Sequence, residues 1–182
     1  MKSISPIFIF DTNIFLTGID FTLFSGIIYT TPSIIEEVKV SKYKDKNRNI
    51  LNKITAAIEN KKLEVKIPKK VSIRKVKDIA KKTGDLKALS EADNGLIALA
   101  WELIENNHEN VTMFTNDYSI ENVCSELNIP FSPLFKEGIK NKIQWQVYCI
   151  NCGTVHKSSE LNEFCENCGS KLKRRPRSTR LK

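Results

Sequence analysis

Ile7-Phe8-Ile9-Phe10-Asp11-Thr12-Asn13 sets an apolar run directly before a polar cluster near the start of the chain. A short unbroken apolar run that ends in turn-forming residues reads as a buried strand entering a turn. The pattern recurs downstream. Gly26 to Thr30 meets Thr31-Pro32-Ser33 and then Ile34, Ile35 and Val38, where proline after a threonine cap marks a helix start. Leu63 to Ile67 alternates apolar with charged residues, and Val111 to Phe114 enters Thr115-Asn116-Asp117. Between these strands the apolar residues fall at helical spacing. Ile50, Leu51, Ile54 and Ile58 mark a helix over 47–60, and Ile73, Val76 and Ile79 one over 71–83. Leu96, Ile97, Ala100, Leu103 and Ile104 mark a helix from Ser90 to about Glu105. A last stripe, Ile120, Val123, Cys124 and Leu127, places Cys124 in the core rather than at a reactive site. Strands alternating with helices predict an α/β fold, a parallel sheet flanked by helices. This body spans 1–135 and is followed by a linker over 136–142.

The C-terminal part has a different chemistry. Cys149-Ile-Asn-Cys152 and Cys165-Glu-Asn-Cys168 are separated by twelve residues, and each pair is followed by glycine, Gly153 and Gly169. Two CxxC turns chelate Zn²⁺ through four thiolates, so the spacing predicts one structural zinc ion in a small β ribbon over 143–170. Two disulfides would need an oxidising compartment, whereas no secretory signal is read here. Four sulfurs close the coordination shell, which leaves His156 unnecessary for the metal. A basic tail over 171–182 follows.

The 182 residues carry a formal net charge of +8, with a pI near 9.2. Seven of the last twelve residues are basic: Lys171, Lys173, Arg174, Arg175, Arg177, Arg180 and Lys182. Two more clusters run through Lys39, Lys42, Lys44, Lys46 and Arg48, and from Lys66 to Lys82. Together with a zinc module they favour an anionic nucleic-acid partner. No apolar run is long enough for a membrane span, so a cytoplasmic protein with no membrane partner is expected. Trp145 and Tyr148, just before the first cysteine turn, suit either base stacking or the packing of a small ribbon core.

In open parallel sheets ligands bind outside the carboxyl ends of the strands, and the polar residues expected there are mostly acids. Asp11 follows the first strand, and Asp117 lies just past the strand ending near Thr115. Either alone reads as a cap or Asx turn. Asp93 shares a helical stripe with Leu89, Leu96, Ile97, Ala100 and Ile104, so its carboxylate faces inward, while Ser90 three residues earlier also fits a capping box. At about 100° per residue, Glu37 lies at the edge of the arc buried by Ile34, Ile35 and Val38, and Glu36 faces solvent. Asp11, Glu37, Asp93 and Asp117 brought together repel unless cations neutralise them, and oxygen-only ligands suit Mg²⁺ or Mn²⁺. One or two such ions would activate water and stabilise the leaving oxygen in phosphodiester hydrolysis. His108 and His156 have no recognisable serine or cysteine partner.

Phe8-Ile-Phe-Asp11-Thr-Asn13, Pro32-Ser-Ile-Ile-Glu-Glu37-Val, Leu89-Ser-Glu-Ala-Asp93 and Thr115-Asn-Asp117-Tyr with Asn122-Val123 resemble, in order, the four acidic motifs of PIN-domain ribonucleases over about residues 4 to 135. With Lys82-Thr-Gly-Asp85 and the four-cysteine ribbon, the chain is similar to the archaeal Nin-one-binding endonucleases. That resemblance implies a metal-dependent endoribonuclease that cuts precursor small-subunit rRNA at its mature 3′ end. It implies Asp11, Glu37, Asp93 and Asp117 as the metal-binding catalytic acids, with Thr115 and Asn116 orienting them. Asp85 is expected as a turn former rather than a further acid of the site. The implied partners are the small-subunit precursor and its assembly factors, with no small-molecule substrate. Two alternatives stand beside this reading: a non-catalytic RNA-binding assembly factor, and a toxin-type PIN ribonuclease of the VapC group.

Overall fold

Ile9 and Phe10 are adjacent in the first strand, so they point to opposite faces, yet both are fully buried. A strand covered on both faces is the mark of a parallel sheet between helices, which explains why its sequence is apolar without alternation. In the computed structural model the described residues are 5–40, 44–106, 108, 110–134 and 143–177. Among them the strands β1 (Ile7–Phe10), β2 (Ile27–Thr30), β3 (Leu63–Val65), β4 (Val111–Phe114) and β5 (Phe131–Ser132) form one sheet of order β3-β2-β1-β4-β5. Every pairing in it is parallel. The flanking helices are α1 (Thr12–Leu16), α2 (Pro32–Val40), α3 (Lys44–Glu59), α4 (Lys70–Thr83), α5 (Glu91–Glu105) and α6 (Tyr118–Glu126).

Phe8 and Phe10 share one face of β1 and meet Phe24 and Phe114 edge-on at centroid separations of 4.9–5.7 Å. Such aromatic pairs add about 0.5–1.5 kcal/mol each beyond their buried area. The cluster sits directly beneath the strand ends and makes a rigid floor there. One local expectation is corrected, and one strand was not read. Thr31 does not cap α2, because its hydroxyl is buried without a hydrogen-bond partner; the helix start rests on the fixed φ of Pro32. The two-residue β5 was not legible, being too short for any periodicity and flanked by Pro130 and Pro133.

The ribbon is a second, antiparallel sheet of order β7-β6-β8, built from β6 (Trp145–Cys149), β7 (Val155–His156) and β8 (Leu172–Pro176). Val147, Cys149, Leu161, Cys165 and Leu172 form its core. The residues expected as a free basic tail from 171 begin instead as the third strand, pairing Leu172 with Cys149 and Arg174 with Val147. A run of cations hides the alternation in which Leu172 and Arg174 turn inward while Lys173 and Arg175 stay exposed. Phe135, the linker 136–142, Lys42, and the tail positions Arg180 and Lys182 lie outside the described residues.

The α/β body meets the ribbon at Gly84, the left-handed cap of α4 (φ 83°). A Cβ there would lie 2.7 Å from the Trp145 carbonyl oxygen. Gly84→Ala should therefore destabilise the protein by about 1–3 kcal/mol, the left-handed penalty plus the displaced strand. Gly95, inside α5, has only Pro68 Cγ within 4.0 Å of an added Cβ, and Gly95→Ala should stabilise by about 0.5–1 kcal/mol. Urea unfolding followed by circular dichroism checks both signs.

Candidate active site and metal centre

The strand order reverses between β1 and β4, since β2 and β3 lie on one side and β5 on the other. That reversal opens a crevice at their carboxyl ends. Asp11 is the first residue past β1, and Thr115 to Asp117 leave β4 beside it. Asp11 caps α1 by accepting from the Ile14 amide at 2.7 Å, and its second oxygen accepts from the Thr115 hydroxyl at 2.5 Å. The same Thr115 oxygen accepts from the Asp117 amide at 3.1 Å. Asp117 in turn caps α6 through the Ser119 amide at 2.7 Å.

Glu37 comes in from α2. Its carboxylate accepts from the Thr12 hydroxyl at 2.5 Å and from the Ser90 hydroxyl at 3.5 Å. Ser90 also makes the expected capping box, accepting from the Asp93 amide at 3.1 Å while its own amide donates to Asp93 at 2.8 Å. Hydrogen bonds therefore join the acids in two pairs, Asp117–Thr115–Asp11 and Thr12–Glu37–Ser90–Asp93, and the chain itself connects the pairs where Thr12 follows Asp11. Glu36 is exposed and pairs with Lys39 at 2.6 Å, as the helix geometry predicts. Thr115 orients Asp11 as expected, whereas Asn116 accepts from the Leu134 amide at 3.1 Å, toward the sheet edge. The roles of Thr12 and Ser90 as bridges to Glu37 were missed, because a hydroxyl's partner in another element leaves no mark in local spacing.

The electrostatics of the crevice oppose ionisation of its most buried acids. Burial pushes the Asp11 carboxyl up to about 6 against the two hydrogen bonds that favour its ionised form, and Asp93 and Asp117 add repulsion. Asp93 is raised as well, by burial first and by Glu37 and Asp117 after the opposing Ser90 bonds. Oxygen donors are the kind that suit a hard divalent cation, but no three of these acids bring their oxygens together as a close ligand group. A groove of about 670 Å³ between α2 and the start of α5 reaches Glu37 and is lined also by Pro32, Ser33, Val40 and Ala92. It lies beside the acids rather than over all four.

Asp85, expected as a turn former, does follow Gly84 in the turn after α4, but it is fully buried and bonded to Asn122 and Arg174 rather than joined to the acid run. The guanidinium of Arg174 stacks on Trp145 and that of Arg175 on Tyr148, each 4.3 Å from the ring centroid. Both rings thus already have a cation on one face. Cys124 is buried in the core as expected. His156 pairs with Glu160 at 3.0 Å rather than with a sulfur.

In the ribbon, Cys149, Cys152, Cys165 and Cys168 place their sulfurs within 4.8 Å of one another, the one such group of three or more ligand atoms among the described residues. Cys149 and Cys168 sulfurs are 3.3 Å apart, and those of Cys152 and Cys165 3.6 Å. Thiolates about 2.3 Å from a tetrahedral ion stand about 3.8 Å apart, so the cage fits a metal. Both turns close alike: Gly153 donates to the Cys149 carbonyl at 3.0 Å and Gly169 to that of Cys165 at 2.8 Å. Both glycines take positive φ, 76° and 69°, which relieves the backbone behind each second cysteine.

Asp11 gives a pH signature whose sign is fixed. Its folded value lies above the usual 3.8, so its contribution to stability is present below about pH 4 and is lost as pH rises through about 6. In chelator at pH 7.5, Asp11→Asn should raise stability by on the order of 2 kcal/mol and flatten that slope. Denaturant unfolding of both proteins across pH 4–8 measures it; equal slopes would show that Asp11 ionises freely.

The chain matches the family described as PIN domain of ribonuclease over residues 8–103. It is 38% identical over 172 residues to Endoribonuclease Nob1 of Pyrococcus abyssi, covering 94% of this chain and 95% of that protein. It is 31% identical over 181 residues to Endoribonuclease Nob1 of Methanocaldococcus jannaschii, covering 100% of this chain and 83% of that one. A protein named Ribonuclease VapC1, from Thermoplasma acidophilum, is 30% identical over 172 residues and is itself covered to 79%. That match too spans 94% of the chain, so length of match does not separate the two names. On a PIN domain with four acids at its sheet crevice, and on identity running through the ribbon, the chain belongs to the Nob1 family of PIN-domain endoribonucleases.

Proposed function

We propose that the chain hydrolyses one phosphodiester in precursor small-subunit rRNA, producing the mature 3′ end, with Asp11, Glu37, Asp93 and Asp117 as its catalytic acids. The observation that carries this reading is the pair of hydrogen-bonded networks, Asp11 with Asp117 and Glu37 with Asp93, that meet at consecutive residues Asp11 and Thr12 beside the switch between β1 and β4. A fold kept only as a docking surface has no need to retain all four acids, Asp11, Glu37, Asp93 and Asp117.

Mg²⁺ or Mn²⁺, one or two ions, held by these acids would neutralise the scissile phosphate and supply activated water. The chain's own residues prepare that site. Thr115 fixes the rotamer of Asp11 and the height of Asp117 with one hydroxyl. Thr12 holds Glu37 toward the crevice, and Ser90 links it to Asp93. Exposed lysines of α4, Lys81 and Lys82, add phosphate affinity without sequence preference. Specificity for one bond must therefore come from RNA shape and from the ribbon.

The ribbon cage holds one Zn²⁺ through Cys149, Cys152, Cys165 and Cys168 as a structural ion. With a core of five small-ribbon residues, the metal supplies folding energy that burial alone does not. Cys149→Ser should release close to one equivalent of zinc into a chromogenic chelator and melt the ribbon, leaving the α/β body folded.

The activity is tested on a precursor RNA that spans the small-subunit 3′ end, with Mn²⁺ or with EDTA. A single cut at the mature end, abolished by EDTA and reduced at least a hundredfold by Asp93→Asn or Asp11→Asn, is expected. RNA binding with no metal-dependent cut would move the assignment to an assembly factor. Equal cutting of unrelated tRNA and mRNA would move it to a toxin-type ribonuclease.

A further inference from the structure

Asp85, buried in the turn after α4, accepts from Arg174 of β8 at 2.9 Å and from Asn122 of α6 at 2.6 Å. Arg174 donates its other amino group to the Ser119 hydroxyl at 3.0 Å, and its plane lies over Trp145 of β6. Asn122 also clamps the chain entering the ribbon, donating to the Ile143 carbonyl at 2.7 Å and accepting from its amide at 2.8 Å. Trp145 closes the contact against Gly84. Two elements of the α/β body and two strands of the ribbon therefore meet in one polar knot.

The knot is tied to the acid crevice by a very short path. Asp117 caps α6 through the amide of Ser119, and the hydroxyl of that same serine receives Arg174. One residue of the ribbon is thus two hydrogen bonds from a proposed catalytic carboxylate. A shift of the ribbon that strains the Arg174–Ser119 bond would be passed on to the cap that sets Asp117.

Energetics argue that this pairing orients more than it stabilises. Burial raises the Asp85 carboxyl above the ordinary aspartate value, and the bonds from Asn122 and Arg174 only partly oppose it. Buried ion pairs commonly behave this way, costing desolvation and returning a unique geometry. Removing one partner strands the other's charge, which gives a sharp experimental handle.

We infer that Asp85, Ser119, Asn122 and Arg174 are positioning residues that hold the ribbon at a fixed offset from the catalytic acids, so that an RNA held by the ribbon presents one phosphodiester to the crevice. This rests on the nuclease reading above. The guanidinium of Arg174 is committed to the knot and is not a phosphate contact, unlike its exposed neighbours Lys173 and Arg175.

The experiment compares the intact chain with Asp85→Ala and Asn122→Ala, with zinc content and circular dichroism confirming that both units stay folded. Nitrogen-15 relaxation reads whether the ribbon tumbles with the body. Cleavage products of the precursor RNA are mapped to single nucleotides, beside a short single-stranded oligonucleotide that covers the cut alone. In both variants the ribbon should tumble separately, the single cut should spread over several neighbouring nucleotides, and kcat/KM on the precursor should fall at least tenfold. Cutting of the short oligonucleotide should stay within twofold. A freed ribbon with an unchanged single cut and kcat/KM would overturn the inference, and so would a ribbon that still tumbles with the body. Equal loss on both RNAs would also overturn it, since the knot would then only support α6. An intact chain that cuts neither RNA would fail the nuclease reading itself, and this assignment with it.

Discussion

A carboxylate buried beside other carboxylates persists only where its charge is balanced, and the organisation of this protein follows from that constraint at Asp11. The parallel sheet brings every strand end to one edge, and the reversal of strand order opens a crevice there without a loop to fill it. Asp11 is buried at the end of β1, and that burial raises the cost of ionising it. Hydroxyls then take the place of cationic partners. Thr115, Thr12 and Ser90 donate to the acids without neutralising them, which on the proposed reading would leave the charge for a divalent ion to balance. An arginine in the same places would have stabilised the apo fold and spoiled the site.

The hydroxyl bridges also explain how four distant stretches of chain converge. Glu37 is reached by Thr12 from α1 and by Ser90 from the cap of α5, so its position records both elements at once. Each bridge is worth only about 1 kcal/mol in net stability. Their value lies in geometry, because each acid's oxygen is aimed by a group whose backbone is already fixed by a strand end or a helix cap.

Much of this was legible in the sequence, and the parts that were not share one cause. Apolar runs placed β1, β2 and β4, helical stripes placed α3 to α6, and the angular position of Glu37 separated it correctly from Glu36. These readings rest on periodicity within one element, which local sequence carries in full. The misses are contacts between elements. Thr31 looked like a cap until its hydroxyl was found buried without a partner. Asp85 is in its expected turn, but its burial and its bonds to Arg174 and Asn122 depend on residues 89 and 37 positions away. Strand β8 was hidden because its outward positions carry the cations that a solvated tail would carry. Only the inward pair, Leu172 and Arg174, tells them apart, and one member of that pair is itself a cation.

Arg174 shows why net charge is a poor guide to which cations meet RNA. The chain's surplus of positive charge attracts a polyanion from any direction, and exposed lysines serve that purpose without regard to place. A guanidinium buried against a carboxylate, a serine and an indole is useless for attraction. It costs desolvation, and lysine could not replace it, since the fork reaches Asp85 and Ser119 together while the plane rests on Trp145. Such a residue is explained by what it aligns. On the proposed reading, affinity for RNA would be spread over the exposed cations, whereas the choice of bond would need one rigid relation between ribbon and crevice. A planar, bidentate, half-buried arginine is the side chain whose chemistry supplies that relation.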